Sequence, residues 1–411
     1  MKIAYLVDEF PSVSQTFVMN QITGMIDRGN SVCIFAEGHL SADKIHSQYE
    51  KYRLLEKTYY NIIPKNKLLR ICKALWYVVK YLPQNFSAVS RSLNIFRYGG
   101  KAASLNLLFL IVPFIEKGPF DIIHCQFGTL GLKGLYLKQT GVVKCKMITS
   151  IRGFDITMFL QKNPGAYDEL FQIGDLFLPV CETFSLRLIK EGCDKNKIVI
   201  HHSGIDCSRI QYKERKRSEN EPTKVVTVAR LVEKKGVTFA IKAIASLIGL
   251  GINISYKVIG DGVLRGDLER LIKMLGVEAQ IELLGWRTHE ETLLLMQEAH
   301  VMIAPSITTS ENDQEGIPNA LKEAMASGMP VISTRHSGIP ELVQDGISGF
   351  LVPERDIGSL ADSLAYLISH PEICNEMGKA GRIQVEQKFD AHQLNNRLEE
   401  LYLKLLHEEK Q

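Results

Sequence analysis

The sequence predicts an α/β protein made of two doubly wound domains. Three observations carry this. Apolar runs of strand length recur along the chain, each followed by a polar or glycine-containing turn and then a helical stretch. One strongly polar segment, residues 211–224, holds no large aliphatic side chain and divides the chain near its middle. The length of 411 residues, 45% hydrophobic and 23% charged, suits two or three domains with full cores.

In the first half, Ile3–Val7 is a buried strand that leads into the turn Asp8–Phe17. Ser14 caps a helix that runs through Ile22 and Met25 and stops at Gly29. Val32–Phe35 is the next strand, so the chain opens with a βαβ unit, and ligands are expected at the carboxyl ends of its strands. That first turn has no G-x-G-x-x-G, which argues against a dinucleotide fingerprint. Further strands are expected at Phe120–Cys125, Met147–Ile151, Leu176–Val180 and Ile198–His202. In the second half they are expected at Val225–Ala229, Ser255–Ile259, Ile281–Leu284, Val301–Ala304, Val331–Ser333 and Gly349–Val352. Leu394, Leu398, Leu401, Leu405 and Leu406 give residues 392–408 the spacing of an amphipathic helix.

Composition excludes some classes. A net charge of +3 is too small for a chain that binds nucleic acid by bulk charge. Eight scattered cysteines with no C-x-x-C pair are expected to be reduced, buried thiols of a cytosolic protein. The N-terminus does not have the pattern of a signal peptide. The most apolar stretch, Leu105–Ile115, is about half the length that spans a bilayer. Residues 51–101 stand out, with eleven Lys and Arg against the single acid Glu56. Leu68, Leu69, Ile71, Leu75, Trp76, Val78, Val79 and Leu82 interleave with these bases. Two readings stand side by side: an amphipathic helix on an anionic membrane surface, or an apolar face packed on its own domain beneath solvated lysines. Nucleic acid fits less well, because no recognition motif accompanies the basic residues.

The chemistry concentrates in one stretch. Pro305-Ser306 and a variable loop lead to Glu315-Gly316-Ile317-Pro318-Asn319-Ala320-Leu321-Lys322-Glu323. This predicts strand, loop and helix, with Pro318 in the first turn and Gly328 at the end. Glu315 then precedes a helix N-terminus, which favours anions, and Glu323 lies inside the helix. Two carboxylates beside such a site suit a ligand with both phosphate and hydroxyl groups, although Glu-Gly-x-Pro alone fits a capped helix with solvated glutamates slightly better, and only the wider context overturns that reading. Other turns of this half add weight. Arg230 and Lys235 can grip a diphosphate and neutralise a leaving phosphate. Gly260 and Gly262 allow close backbone approach.

These residues resemble family 4 of the retaining glycosyltransferases, which have the GT-B fold of two Rossmann-like domains facing across a cleft. The resemblance rests on Val228–Gly236, Gly260-Asp261-Gly262, Glu315–Glu323, Ser327–Ile332 and Gly338–Val343, with Gly346 and Gly349. Ser14-Gln15-Thr16-Phe17, His124–Gly128 and Gly153-Phe154-Asp155 are similar to the branch that builds colanic-acid-type exopolysaccharides. The resemblance implies an acceptor-side domain over 1–210, a linker over 211–224, a nucleotide-sugar domain over 225–391, and a helix over 392–411 returning to the first domain. It implies that Glu323 bonds the ribose hydroxyls and Glu315 faces the donor sugar. Gly316, Ile317, Pro318 and Asn319 would lie along sugar and phosphate, Gly260 near them, and Trp286 and Arg287 near the base. Arg230 and Lys235 would bind the diphosphate, and Gln15, Thr16, Gly153 and Asp155 would lie on the acceptor side. The reaction implied is transfer of a sugar, with retention, from a UDP- or GDP-sugar to a hydroxyl of a glycan or lipid-linked acceptor. No metal or other cofactor is expected, and no Asp-x-Asp motif is present. The cysteines point to the cytoplasm, and the membrane-surface reading of residues 51–101, one of the two above, would set the protein on the inner face of the plasma membrane and fits a lipid-linked acceptor.

Two departures matter. Arg152 stands where the family has a histidine that contacts the sugar, and it is a permanent cation. It would aid the leaving phosphate, bind an acidic substrate, or mark lost activity. The glycine-rich first loop of the wider family is replaced by Asp8–Thr16. Two alternatives stand beside the transferase: a nucleotide-sugar-binding subunit with impaired catalysis, and an epimerase of the same fold.

Overall fold

The computed structural model describes residues 1–12, 16–38, 47–218 and 221–408. Among these, two six-stranded sheets form, and every strand pair in both is parallel. The first contains β1 (Lys2–Glu9), β2 (Ser31–Gly38), β3 (Thr58–Tyr60), β4 (Ile122–Cys125), β5 (Lys146–Ile151) and β6 (Leu176–Pro179), in the order β3-β2-β1-β4-β5-β6. The second contains β7 (Thr223–Val228), β8 (Ile254–Ile259), β9 (Ile281–Gly285), β10 (Val301–Ala304), β11 (Val331–Thr334) and β12 (Gly349–Val352), in the order β12-β11-β10-β7-β8-β9. Counted from its own first strand, each sheet has the order 3-2-1-4-5-6. The topology therefore reverses between β1 and β4 and again between β7 and β10, and at such points a crevice opens at the carboxyl ends of the strands.

The central strands are buried on both faces, as parallel sheets covered by helices require. Ile3, Ala4, Tyr5 and Val7 of β1 are fully buried, as are Met302 and Ile303 of β10. The segment Ile198–His202, expected as a strand, does not form one: it runs beside the end of β6 through a bridge from Ile198 to Phe177, with the N–H groups of Val199 and His201 donating to the carbonyls of Phe177 and Pro179. The buried ring of His201 is held by the carbonyl of Leu394, at 3.0 Å from Nε2.

The helix Ala391–His407 lies against the helix Thr16–Asp27 of the first half, so the chain ends where it began. A buried polar line fixes it there. Tyr402 bonds the Tyr5 hydroxyl at 3.1 Å and His124 Nδ1 at 2.6 Å, and His124 Nε2 meets Ser150 Oγ at 2.8 Å. Arg215, in the polar segment between the halves, is 5% exposed and donates to the carbonyls of Met296, Gln297, Ala299 and Ser327. Carbonyls at the ends of the helices His289–Glu298 and Asn319–Ala326 take its two terminal nitrogens, which offsets most of the cost of burial, while Nε is left without a partner.

The basic region is not one helix. It contains helices at Lys67–Tyr81, Phe86–Ser92, Ile95–Tyr98 and Gly100–Ala103. In the first of these Ala74 and Tyr81 are buried, and Tyr77, Val78 and Leu82 pack on the core of the domain. Leu68, Leu69, Ile71, Leu75, Trp76 and Val79 do not: Trp76 is 54% exposed and Val79 76%. Packing on the domain thus accounts for one apolar face of the helix and leaves a second uncovered. Asn106–Lys117, which contains the most apolar run, is buried through Leu107, Leu108, Phe109 and Ile111. Among the described residues no helix is long and apolar enough to cross a membrane.

Candidate active site

The two reversal points face each other across one cavity of about 420 Å³. Phe17 and Phe127, beside β1 and β4, line it from the first domain with Arg152, Gly153 and Ser203. Arg230, Lys234 and Lys235, after β7, and residues 314–320, after β10, line it from the second.

The wall from the second domain is built by local backbone chemistry. Pro318 caps the helix Asn319–Ala326, one residue earlier than a first-turn position, and its extended φ/ψ turns the chain into the helix. The first N–H groups of that helix have no intrahelical acceptor, and they open at the cavity wall together with the positive end of the helix. Lys235 forms an ion pair with Glu315, and Lys234 pairs with Asp313 at 2.9 Å. Burial pushes the Glu315 carboxyl up, but Lys235 and then Lys234 outweigh it and hold it below the usual carboxylate range. Glu315 is therefore an anion at neutral pH, clasped by the cation expected to bind phosphate. Arg230 is exposed and makes no ion pair among the described residues. The cavity thus offers two or three cations and a helix N-terminus on one side, a composition suited to a diphosphate.

Arg152 closes the other side. Its Nε donates to the Gln126 carbonyl at 3.0 Å, its Nη2 to Gln126 Oε1 at 2.5 Å and its Nη1 to Ser203 Oγ at 2.8 Å. The guanidinium lies 4.2 Å over the ring of Phe17. Burial lowers its pKa to about 10, so it stays charged at neutral pH. Lys322, from the helix on the facing domain, donates to the carbonyl of the same Ser203 at 2.6 Å. Burial brings Lys322 down to about 7. Both domains are thus fastened to one residue at the edge of the cavity.

Other predicted site residues lie elsewhere. Glu323 is 8% exposed and borders a smaller crevice with Thr16, Asn20, Arg209 and His289. His289 Nε2 stands 3.0 Å from its Oε1, and this bond raises the His289 pKa. Gly260 and the pair Trp286 and Arg287 do not border the main cavity. At Gly260 the close neighbour is the chain itself: with φ at +134°, a Cβ there would sit 1.9 Å from the Ala229 carbonyl oxygen. Trp286 is 41% exposed, and Arg287 donates to the Trp286 carbonyl at 3.0 Å. Asp155 is fully buried, and its carboxylate accepts the N–H groups of Gly128, Arg152 and Gly153. It shapes the loop that presents Arg152 rather than facing the cavity. Gly153 borders the cavity, and Gln15 and Ser14 lie outside the described residues.

Sequence reasoning missed three groups. His336 and Glu354 contact the Glu315 loop, and Lys322 was quoted within its motif without a role. A buried histidine far along the chain gives no periodic signal. Lys322 could have been noticed, since a lysine next to Leu321 and two residues before Ala324, both buried, interrupts the apolar face of a short helix.

Two Rossmann-like domains with a cationic cleft between their reversal points have the GT-B architecture. Comparison with known proteins places the chain more closely. The family described as "Glycosyl transferases group 1" matches residues 208–384. The WcaL protein of Salmonella typhimurium, named for colanic acid biosynthesis, is 36% identical over 406 residues, 98% of this chain and 99% of that protein. The amylovoran biosynthesis glycosyltransferase AmsK of Erwinia amylovora is 34% identical over 410 residues, 98% of this chain and all of that one. Among solved structures, Anabaena Alr3699/HepE in complex with UDP superposes with a TM-score of 0.71 at 16% identity, covering 98% of this chain and 100% of that one. The chain belongs to the group 1 glycosyl transferases and is closely related to their exopolysaccharide-building members. It is a nucleotide-sugar-dependent glycosyltransferase.

Proposed function

We propose that this enzyme transfers a sugar, with its anomeric configuration retained, from a UDP- or GDP-sugar to a hydroxyl of a glycan or lipid-linked acceptor in surface polysaccharide assembly. It would work in the cytoplasm, peripheral on the inner face of the plasma membrane. The observation that carries the reading is the convergence of Arg230, Lys235, Glu315 and the N-terminus of Asn319–Ala326 on the cavity that Arg152 closes from the other domain. On donor binding the diphosphate competes with Glu315 for Lys235. Charge that builds on the departing phosphate meets cations and N–H groups already in place, where such stabilisation is strongest. Glu315, released from Lys235, faces the sugar. Glu323, in the adjoining crevice, takes the ribose hydroxyls, with Trp286 and Arg287 toward the base. The names of the relatives, colanic acid and amylovoran biosynthesis, support a polysaccharide acceptor.

The membrane part rests on the uncovered face of Lys67–Tyr81. Leu68, Leu75, Trp76 and Val79 are exposed there beside Lys67, Arg70, Lys73 and Lys80, and Phe86 and Phe96 on the helices that follow are exposed too. An apolar strip flanked by cations fits anionic lipid.

The test is a donor screen. Purified protein is incubated with UDP-, GDP- and other nucleotide sugars and with a membrane extract as acceptor, and nucleoside diphosphate release is followed. Acceptor-dependent release from one donor is expected. Donor binding with no release from any donor would instead support a subunit that binds without turnover. Conversion of the donor to its epimer without acceptor, and with no net release of nucleoside diphosphate, would support an epimerase.

A further inference from the structure

The loop that carries Glu315 is fixed from behind by a relay of two side chains. His336 follows β11 and is 1% exposed. Its Nε2 lies 3.0 Å from the backbone nitrogen of Glu315, and its Nδ1 lies 2.6 Å from Glu354 Oε1. A backbone N–H can only donate, so Nε2 must present its lone pair. The ring proton then sits on Nδ1 and is donated to the Glu354 carboxylate. The two partners thus fix the tautomer.

Glu354, just after β12, does more than hold the ring. It accepts the N–H of Thr308 at 2.8 Å and the Thr308 hydroxyl at 3.1 Å. Arg355 pairs with Glu354 at 3.2 Å and donates to the Thr308 carbonyl. Both ends of the loop between β10 and the helix Asn319–Ala326 are therefore tied to the turns after β11 and β12: Thr308 directly and Glu315 through the ring. The loop and both turns hold strained backbone, with φ of +60° at Asn312, +46° at Ser337 and +65° at Arg355, none of them glycine. Such conformations persist only where surrounding contacts over-determine them, and they cluster at working sites.

We propose that His336 and Glu354 are a positioning pair for Glu315. They hold its backbone in register, so that its carboxylate stays in place when the diphosphate draws Lys235 away. Neither side chain borders the main cavity, and His336 is buried behind the loop. The inference rests on the reading that Glu315 faces the donor sugar. It adds residues outside the Glu315–Glu323 stretch, and it explains how the backbone of Glu315 is held from behind while its carboxylate faces the cavity.

The experiment compares His336→Leu, His336→Gln and Glu354→Gln with the wild type and with Glu315→Ala. Donor turnover, nucleoside diphosphate binding by calorimetry and urea midpoints are measured on each. His336→Leu removes the acceptor for the Glu315 N–H. It should lower kcat about 10- to 100-fold, the scale of a misplacement near 1 Å, with the Kd for the bound nucleoside diphosphate within about threefold of wild type. His336→Gln returns an oxygen acceptor near the place of Nε2 and should recover most of the rate. Glu354→Gln should lose about 3- to 10-fold, because a neutral amide holds the ring less firmly than a carboxylate. A wild-type kcat in His336→Leu overturns the proposal. So does a loss that His336→Gln leaves unchanged, or one that follows Kd and the urea midpoint. If His336→Leu does not fold, Glu354→Gln decides in the same way through kcat against Kd. If Glu315→Ala itself turns over like the wild type, the reading of the site falls and the pair's role falls with it. If Glu315→Ala is impaired while His336→Leu is not, only the positioning role falls.

Discussion

Replacing Lys235 with methionine separates what this side chain does for folding from what it does for catalysis. Lys235 and Glu315 pair while only 15% and 18% exposed. Without the lysine, Glu315 stays buried with Lys234 as its nearest remaining cation. Breaking a fully buried pair costs about 3–5 kcal/mol, and partial exposure together with Lys234 should bring this to about 1–3 kcal/mol. The same change removes a cation from the departing phosphate, a loss of about 10²–10³ in turnover. That corresponds to about 2.7–4.1 kcal/mol of barrier. The two effects part in the double variant Lys235→Met/Glu315→Gln. With no charge left unpaired, its stability should return to within about 1 kcal/mol of wild type, while its turnover stays low. Urea unfolding and initial rates of nucleoside diphosphate release measure the two quantities on the same preparations. Lys235→Met with wild-type turnover would refute the diphosphate assignment. A double variant as unstable as the single one would refute the ion pair.

Other expectations follow from single contacts. Gly260→Ala should lower stability by at least about 2 kcal/mol, since the new Cβ meets the Ala229 carbonyl at a backbone angle alanine avoids; an unchanged urea midpoint would mean this turn can relax. The His289 pKa is raised in the folded state above its ordinary 6.5, chiefly by the bond to Glu323. Its contribution to stability is fully present below 6.5 and is lost as pH rises through the folded value. Wild type should therefore exceed His289→Gln by about 1 kcal/mol at pH 6 and by much less at pH 9, and a gap that does not change with pH would contradict the pair. Trp76→Glu with Val79→Glu should abolish flotation with anionic liposomes and leave folding intact, because both side chains are exposed; undiminished flotation would place any membrane contact elsewhere.

The sequence carried the fold where burial is repetitive. Strands such as Ile3–Val7 and Val301–Ala304 are legible because both faces are covered, which leaves uninterrupted apolar runs bounded by turns. β3 was not legible: Thr58-Tyr59-Tyr60 is a three-residue edge strand in a basic region. Ile198–His202 has the composition of a strand, yet it sits at the edge beyond β6, where one bridge and two N–H donations end the sheet. Composition also hid Arg215, since a polar segment gives no warning that one of its arginines is buried. At the site, Arg230, Lys235 and Glu315 were legible because they lie in turns after strands. The links from Glu315 to His336, from His336 to Glu354 and from His289 to Glu323 span 18 to 34 residues, and only the folded sheet makes them neighbours. The uncovered face of Lys67–Tyr81 was undecided for a similar reason: hydrophobic spacing marks an apolar face but not what covers it.

The most direct measurement is amide hydrogen exchange with and without bound UDP or GDP, whichever calorimetry shows to bind. The account predicts new protection in residues 230–236 and 314–321, where cations and first-turn N–H groups meet the diphosphate, and none in 67–82. Protection confined to other turns, with 314–321 unchanged, would contradict the placement of the donor and every role assigned to that wall of the cavity.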